Sequence, residues 1–258
     1  MKTFVTSLLL AVVAMAPTLA QSTIDAKDII AKINRKEAVS YQNVTVTGDL
    51  DLTNLANRKE IREGSWKGDS HEFLSVVDVP LTFKNCTFKG KFLAYHTDEQ
   101  DGKRIFNTNN TVYNADFTEA VTIEGCTFQD DAAFKYSRFT QRAIFTNNTF
   151  SEEAIFKYTK FRNAADFNSS TFRSYADFKY TNFDESSSFQ KVSFQRSADF
   201  KYTKFDEVTD FRQARFSGNA DFKYTHLPRG TNFDDVRFEG STDFKYTTLD
   251  GRKFSPSR

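Results

Sequence analysis

The residues here with chemistry to offer another molecule fall into three groups. Cys86 and Cys126 stand in Asn-Cys-Thr-Phe and Gly-Cys-Thr-Phe, equivalent positions two residues before a Phe. No His accompanies either thiol, so neither reads as an activated nucleophile. His71, His96 and His226 are scattered and share no metal-ligand spacing, which makes surface positions the expectation for all three. The third group is periodic. Lys179-Tyr180, Lys201-Tyr202 and Lys223-Tyr224 recur at one fixed interval, as do Asp177, Asp199, Asp221 and Asp243. A catalytic carboxylate pair should break a repeat, whereas these Asp residues follow one. No phosphate-binding Gly loop, nucleophile elbow or Ser-His-Asp arrangement stands out. The expectation is a protein without catalytic residues, cofactor or metal.

What positions these residues is a repeat. From Phe117 through Phe134, Phe156, Phe178, Phe200 and Phe222 to Leu249, large apolar residues follow one another at alternating steps of six and five. Phe-Lys-Tyr begins at 134, 156, 178, 200, 222 and 244, which sets the full period at 22. A 3.6-residue helical period does not fit, because positions three and four from each Phe are mostly polar. A coil of four short sides fits, with one large side chain pointing inward from each side. Two residues before the large ones stand small or β-branched residues such as Ala132, Ala154, Ala176, Thr159 and Thr181, which then also face inward. That phase puts the Thr159, Thr181, Thr203, Thr225, Thr247 column inside, which argues against a hydroxyl face for ice. The intervening Asp166, Asp177, Asp199, Asp210, Asp221 and Asp243 would face solvent. Coils stack about 4.8 Å apart, so each position becomes a column. Lys135 to Lys245 form one column and Tyr136 to Tyr246 the next, flanked by Asp. This stripe is a structural column or a flat aromatic and charged surface for a glycan or protein partner.

Ala198-Asp199-Phe200-Lys201-Tyr202 and Ala220-Asp221-Phe222-Lys223-Tyr224 resemble the unit of the pentapeptide-repeat family. The resemblance is dense over 112–254 and looser over 39–92. It implies an all-β, right-handed quadrilateral parallel β-helix. The sequence departs from the family pattern by inserting a residue on alternate sides, which implies a coil length equal to the full period of 22, with bulged corners. The three-sheet β-helix of polysaccharide lyases, the architecture of a carbohydrate-active enzyme, has coils of similar length but lacks this even four-part spacing. Some family members resemble DNA and bind topoisomerases; that role needs an acidic cytoplasmic protein.

The ends argue for a different compartment. Lys2, the apolar run from Phe4 to Met15, and small Thr18 and Ala20 read as a signal peptide over 1–20, cut before Gln21. Loss of Lys2 leaves 34 basic against 34 acidic residues, a neutral chain that gives nucleic acid no basic field. The run is too short for membrane insertion. The expected location is periplasmic or extracellular. Residues 21–38 form a capping segment, with a helix over 24–36 capped by Ser22 or Thr23. The β-helix then fills 39–258, with Val39, Val44, Leu50 and Leu55 in its first coil and Gly48 at a turn. It is interrupted at 56–80, a degenerate coil or a loop, and at 93–111, an exposed loop from which Phe106 and Val112 rejoin the core. If 93–111 is a loop, Cys86 and Cys126 stack in adjacent coils, and both a disulfide and a reduced pair stay open. No helix covers the last coil, so a homodimer through it is expected. The resulting expectation is an exported, non-enzymatic scaffold binding an unidentified protein or glycan through its loops or its Lys/Tyr side.

Overall fold

The computed structural model describes residues 22–62, 71–98 and 111–254. Residues 1–20, read above as a signal peptide, together with Trp66, Phe106 and most of the loop from Asp98 to Arg104, lie outside the described residues. The described chain winds into a quadrilateral β-helix with four parallel walls. In chain order, wall one begins with Val39–Gln42, wall two with Val44–Thr47 and wall three with Leu50–Asp51. Wall four begins in the strand Glu72–Val77. Residues one period apart pair along each wall, as Thr149 with Thr171 and Phe139 with Phe161. Side chains bridge the same interval, as Arg162 with Asp184, a separation of 22. The coil length is therefore the one that the Phe spacing predicts.

The alternation of five and six comes from two kinds of corner. In the five-residue steps a tight turn carries one residue with positive φ: Tyr136, Tyr158, Tyr180, Tyr202, Tyr224 and Tyr246 between walls three and four. Asn43, Asn85, Gly125, Asn147, Ser169, Lys191, Gln213 and Asp235 do the same between walls one and two. The Ser137 amide donates to the Phe134 carbonyl across such a turn (3.1 Å), the closure of a type II turn. Most six-residue steps use the extra residue to turn without positive φ; the steps from Val46 to Leu52 and from Leu227 to Phe233 instead carry Gly48 and Gly230 at φ of 75° and 89°.

Inside, Phe rings of successive coils lie nearly parallel, as Phe178 over Phe200 at 5.0 Å, and meet the neighbouring columns edge-on, as Phe178 with Phe189 at 5.4 Å. The rings of the central coils are fully buried, each worth about 1.5–3 kcal/mol, whereas Phe233 and Phe238 near the C-terminal end are partly buried. The small residues between them are inside as well. Thr159, Thr181, Thr203, Thr225 and Thr247 are fully buried. The Thr159 hydroxyl donates to the Phe134 carbonyl of the preceding coil, and Thr181 to that of Phe156, each at 2.7 Å. The hydroxyl thereby gives a second donor to the carbonyl that already closes the tight turn, filling its remaining lone pair inside the wall.

Five expectations need correction. The helix is Ala26–Asn34, capped by Asp25, whose carboxylate accepts from the Lys27 amide. Ser22 and Thr23 belong instead to a strand, Ser22–Asp25, that pairs with Val44–Thr47 and extends wall two beyond the first coil. The helix lays Ala26, Ile29 and Ile33 over the open N-terminal end. Next, 56–80 is neither a whole coil nor a plain loop. Val39 pairs with Leu81, almost two periods further along the chain, so one coil has absorbed a long insertion. The insertion forms an antiparallel hairpin, Lys59–Arg62 with Glu72–Val77, and of Ile61, Phe73 and Val77 only Val77 enters the core. A second hairpin, Tyr95–Thr97 with Val112–Phe117, brackets the 93–111 insertion. Val112 stays on that hairpin, while Ala115 and Phe117 rejoin the core. Fourth, the C-terminal coil is not bare. Leu249-Asp250-Gly251-Arg252 closes a tight turn with φ of 51° and 71° at its centre, pairing Arg252–Lys253 antiparallel to Thr248–Leu249. Phe254 folds back onto Phe233 and Phe244, at 5.4 and 6.1 Å, across the open end. Finally, Asp177 and Asp199 do not face solvent freely; both are buried, at 6% exposure.

Candidate functional site

Two surfaces stand out from the walls: the Tyr/Lys edge between walls three and four, and a flap built by the two inserted hairpins.

On the edge every member of the repeat has a structural task. Asp199 Oδ1 accepts the Lys201 amide at 3.0 Å, as Asp177 does for Lys179 and Asp221 for Lys223. The Oδ2 atoms of Asp199, Asp221 and Asp243 pair with Lys ammoniums of the same and adjacent coils. Lys201 Nζ lies 3.1 Å from Asp199 and 3.2 Å from Asp221; Lys223 lies 3.5 Å from Asp221 and 3.3 Å from Asp243. Lys179 reaches Asp199 at 3.5 Å. This zigzag neutralises the Lys column. Burial raises the Asp177 carboxyl above its ordinary range, with the Asp199 charge adding to the rise and Lys179 opposing it. Tyr175 covers the pair, its hydroxyl donating to Asp199 Oδ2 at 3.2 Å.

The Tyr rings stack face to face, Tyr180 on Tyr202 and Tyr202 on Tyr224 at 4.7 Å and within 3° of parallel. Each sits in the left-handed region, which costs a side-chain-bearing residue about 1–2 kcal/mol; the stacked pairs offset much of that, at about 0.5–1.5 kcal/mol each. Stacking consumes the ring faces. The 38% and 41% exposure that Tyr180 and Tyr202 retain is therefore ring edge and hydroxyl. A sugar that stacks on an aromatic ring needs a free face, and along this column stacking leaves the inner rings mainly their edges.

The flap is four strands wide. Tyr95–Thr97 pairs with the outer half of Val112–Phe117, which pairs with Glu72–Val77, which pairs with Lys59–Arg62. The register places His96, Tyr113, Phe73 and Glu60 in one row. The His96 and Tyr113 rings are 4.6 Å apart, and Tyr113 and Phe73 are 5.3 Å apart. The Arg58 guanidinium lies over both Tyr113 and Phe73, at 5.4 and 5.7 Å. Tyr113 donates to Asp98 at 3.0 Å, and burial followed by that carboxylate holds its hydroxyl above the usual phenol range. His96 Nε2 lies 4.0 Å from Asp51, and His71 pairs with Glu60. His226 sits on the exposed outside of wall four, beside Thr248 at 3.1 Å. The two surfaces meet at Tyr95: its ring is 5.7 Å from Tyr136, and its hydroxyl accepts from Lys135 at 2.8 Å. The Lys/Tyr pattern was visible in the sequence, but the His96-Tyr113-Phe73 row with Arg58 lying over it was not. It depends on the register of two hairpins, which no periodicity announces.

Cys86 and Cys126 stack in adjacent coils, with Thr87 and Thr127 paired next to them. Both thiols are free and buried, in a column shared with Asn148, Ser170 and Val192. The Cys86 amide contacts Cys126 Sγ at 3.3 Å. Their mutual hydrogen bond pushes Cys126 up, reinforced by burial, and draws Cys86 down to about 7. Among the described residues no group of His, Cys, Asp and Glu is arranged to hold a metal ion, and no helix is long and apolar enough to cross a membrane.

A family model for pentapeptide repeats (9 copies) matches residues 113–160, 156–204 and 200–248. No curated protein and no solved structure matches the chain.

Proposed function

The chain belongs to the pentapeptide-repeat family, and from that premise we propose that it is an exported, non-enzymatic interaction scaffold that holds its flap against a protein or surface polymer. The observation that carries this reading is the contrast between the two surfaces. On the edge, the Tyr rings stack coil on coil, and Lys179, Lys201 and Lys223 pair with Asp199, Asp221 and Asp243 of the same and adjacent coils, so removing one would first disturb the stack. On the flap, His96, Tyr113, Phe73 and Arg58 lie outside the Phe-Lys-Tyr repeat, His96, Tyr113 and Phe73 on the paired strands of the two insertions and Arg58 beside them. Recognition residues are commonly carried on such insertions over a rigid scaffold. Export is supported by the sequence of residues 1–20. The neutral charge of the processed chain argues against imitation of DNA, and the even four-part coil argues against the polysaccharide-lyase architecture.

The test compares two variants of the secreted protein as bait for the extracytoplasmic fraction of its own cells. Arg58→Ala with His96→Ala should lose captured partner while keeping the thermal midpoint. Tyr180→Ala with Tyr202→Ala should lower the midpoint and keep the partner. The reverse pattern transfers the binding role to the Tyr/Lys edge. Recovery of the chain from the cytoplasm with residues 1–20 intact removes the export reading itself.

A further inference from the structure

The tight-turn edge between walls one and two carries a feature that neither stacking nor the flap accounts for. In three of its first four coils the corner residue opens an Asn-x-Thr triplet: Asn43-Val44-Thr45, Asn85-Cys86-Thr87 and Asn147-Asn148-Thr149. Asn-x-Ser/Thr with x other than Pro is the acceptor sequence for N-linked glycan in chains that pass through a glycosylating secretory pathway. All three Asn residues are exposed at the corner, with φ of 55°, 52° and 57°. Each middle residue points inward and is buried, so Asn and Thr are both presented on the outside. The Thr residues stand in one register line, Thr45 beside Thr87, Thr87 beside Thr127 and Thr127 beside Thr149. Gly125 occupies the corner in the coil between Asn85 and Asn147, which sets those two about 10 Å apart.

We propose that this edge is an N-glycosylation site, modified at Asn43, Asn85 and Asn147. In the transfer, the Asn Nδ2 bonds to the anomeric carbon of a polyprenyl-diphosphate-linked oligosaccharide. The bond from that carbon to the diphosphate breaks, the lipid diphosphate leaves with the electron pair, and Nδ2 gives up one proton. A fourth described triplet, Asn168-Ser169-Ser170, supplies the contrast. Its Asn168 Oδ1 accepts from the Gln190 amide at 2.8 Å and from the Ser188 hydroxyl. Its Ser170 is fully buried, donating to the Phe145 carbonyl at 2.6 Å. That triplet is absorbed into the wall and should stay unmodified. Along the chain the two kinds of tight corner alternate at half-coil intervals, as Asn147, Tyr158 and Ser169 do, so the Asn edge lies diagonally across the solenoid from the Tyr/Lys edge. Glycan on the first would leave the second bare.

The inference shares the export premise of the proposed function, so the experiment separates the two. The full chain is secreted from yeast behind its own leader and, in parallel, behind a host leader. Secretion in the first arm tests export; the second arm delivers the chain to the pathway regardless. Peptide-N-glycosidase should then shift the secreted protein downward on a gel and leave Asp in place of Asn at 43, 85 and 147. The triple variant Asn43→Gln, Asn85→Gln, Asn147→Gln should lose those modifications. Gln is compatible with this corner, because Gln213 occupies it in a later coil with φ 59°. Secreted protein unmodified at all three positions, or modified at Asn168 in their place, overturns the proposal.

Discussion

In Ala198-Asp199-Phe200-Lys201-Tyr202-Thr203 each residue type is fixed by one local requirement. Ala198 must be small because it shares the axis with Phe rings; Asp199 accepts the Lys201 amide; Thr203 donates to the Phe178 carbonyl. The inward phase of Ala and Thr was legible from the alternation of two. The burial of Asp177 and Asp199 was not, because it depends on Tyr175, which interrupts the repeat from the neighbouring corner. This burial has a pH signature. The folded state raises the pKa of Asp177 above its unfolded value, so it binds the proton more tightly than the unfolded chain does. Its stabilising contribution is fully present below the unfolded value, about 3.9, and is lost as pH rises through the folded value. Asp177→Asn keeps an oxygen for the Lys179 amide and removes the titration. Urea unfolding should find the variant more stable relative to wild type at neutral pH than at pH below about 4. A difference that stays flat with pH contradicts the assignment.

At the scale of elements, the wall strands were predictable and the pieces that close the solenoid were less so. The helix was legible in Ile29 and Ile33, but its start was displaced because Ser22–Asp25 finds an open wall edge to pair with. The strands of the flap carry no Phe period, so only their pairing defines them. The C-terminal hairpin did leave a signal, since Asp250-Gly251 is a favoured pair for a turn with two positive φ values. It matters because a parallel wall exposes unpaired amides and carbonyls at its end. The hairpin pairs wall four against itself and brings Phe254 over the last Phe layer, which blunts the end expected to dimerise. Gly251→Val forces a β-branched residue into the left-handed region, at a cost of about 1–2 kcal/mol or more. Hydrogen exchange should show faster exchange in the last coil, Thr247 to Leu249, with central coils such as 176–183 unchanged. Uniform loss of protection along the chain would mean that the hairpin is not a local cap.

At the scale of the molecule, the architecture was legible because a solenoid writes one environment many times. The use of 29 Phe against two Met and one Trp reflects four inward columns that ask for the same side chain in coil after coil. Function is less legible for the same reason: most periodic residues are explained by stacking, and the flap proposed for recognition lies where the period fails. Both the flap and the Asn-x-Thr edge therefore depend on the coil length being right. The direct test places nitroxide labels on the outside of wall four at Lys160, Asn182 and Lys204, with Cys86 and Cys126 changed to Ala. The register pairs these three in successive coils, so neighbouring labels should sit about 5 Å apart. A spin-exchange-narrowed spectrum is expected for the triply labelled protein. Moving the middle label to Asp184 should abolish the narrowing. Three resolved hyperfine lines from labels at Lys160, Asn182 and Lys204 would contradict this coil length.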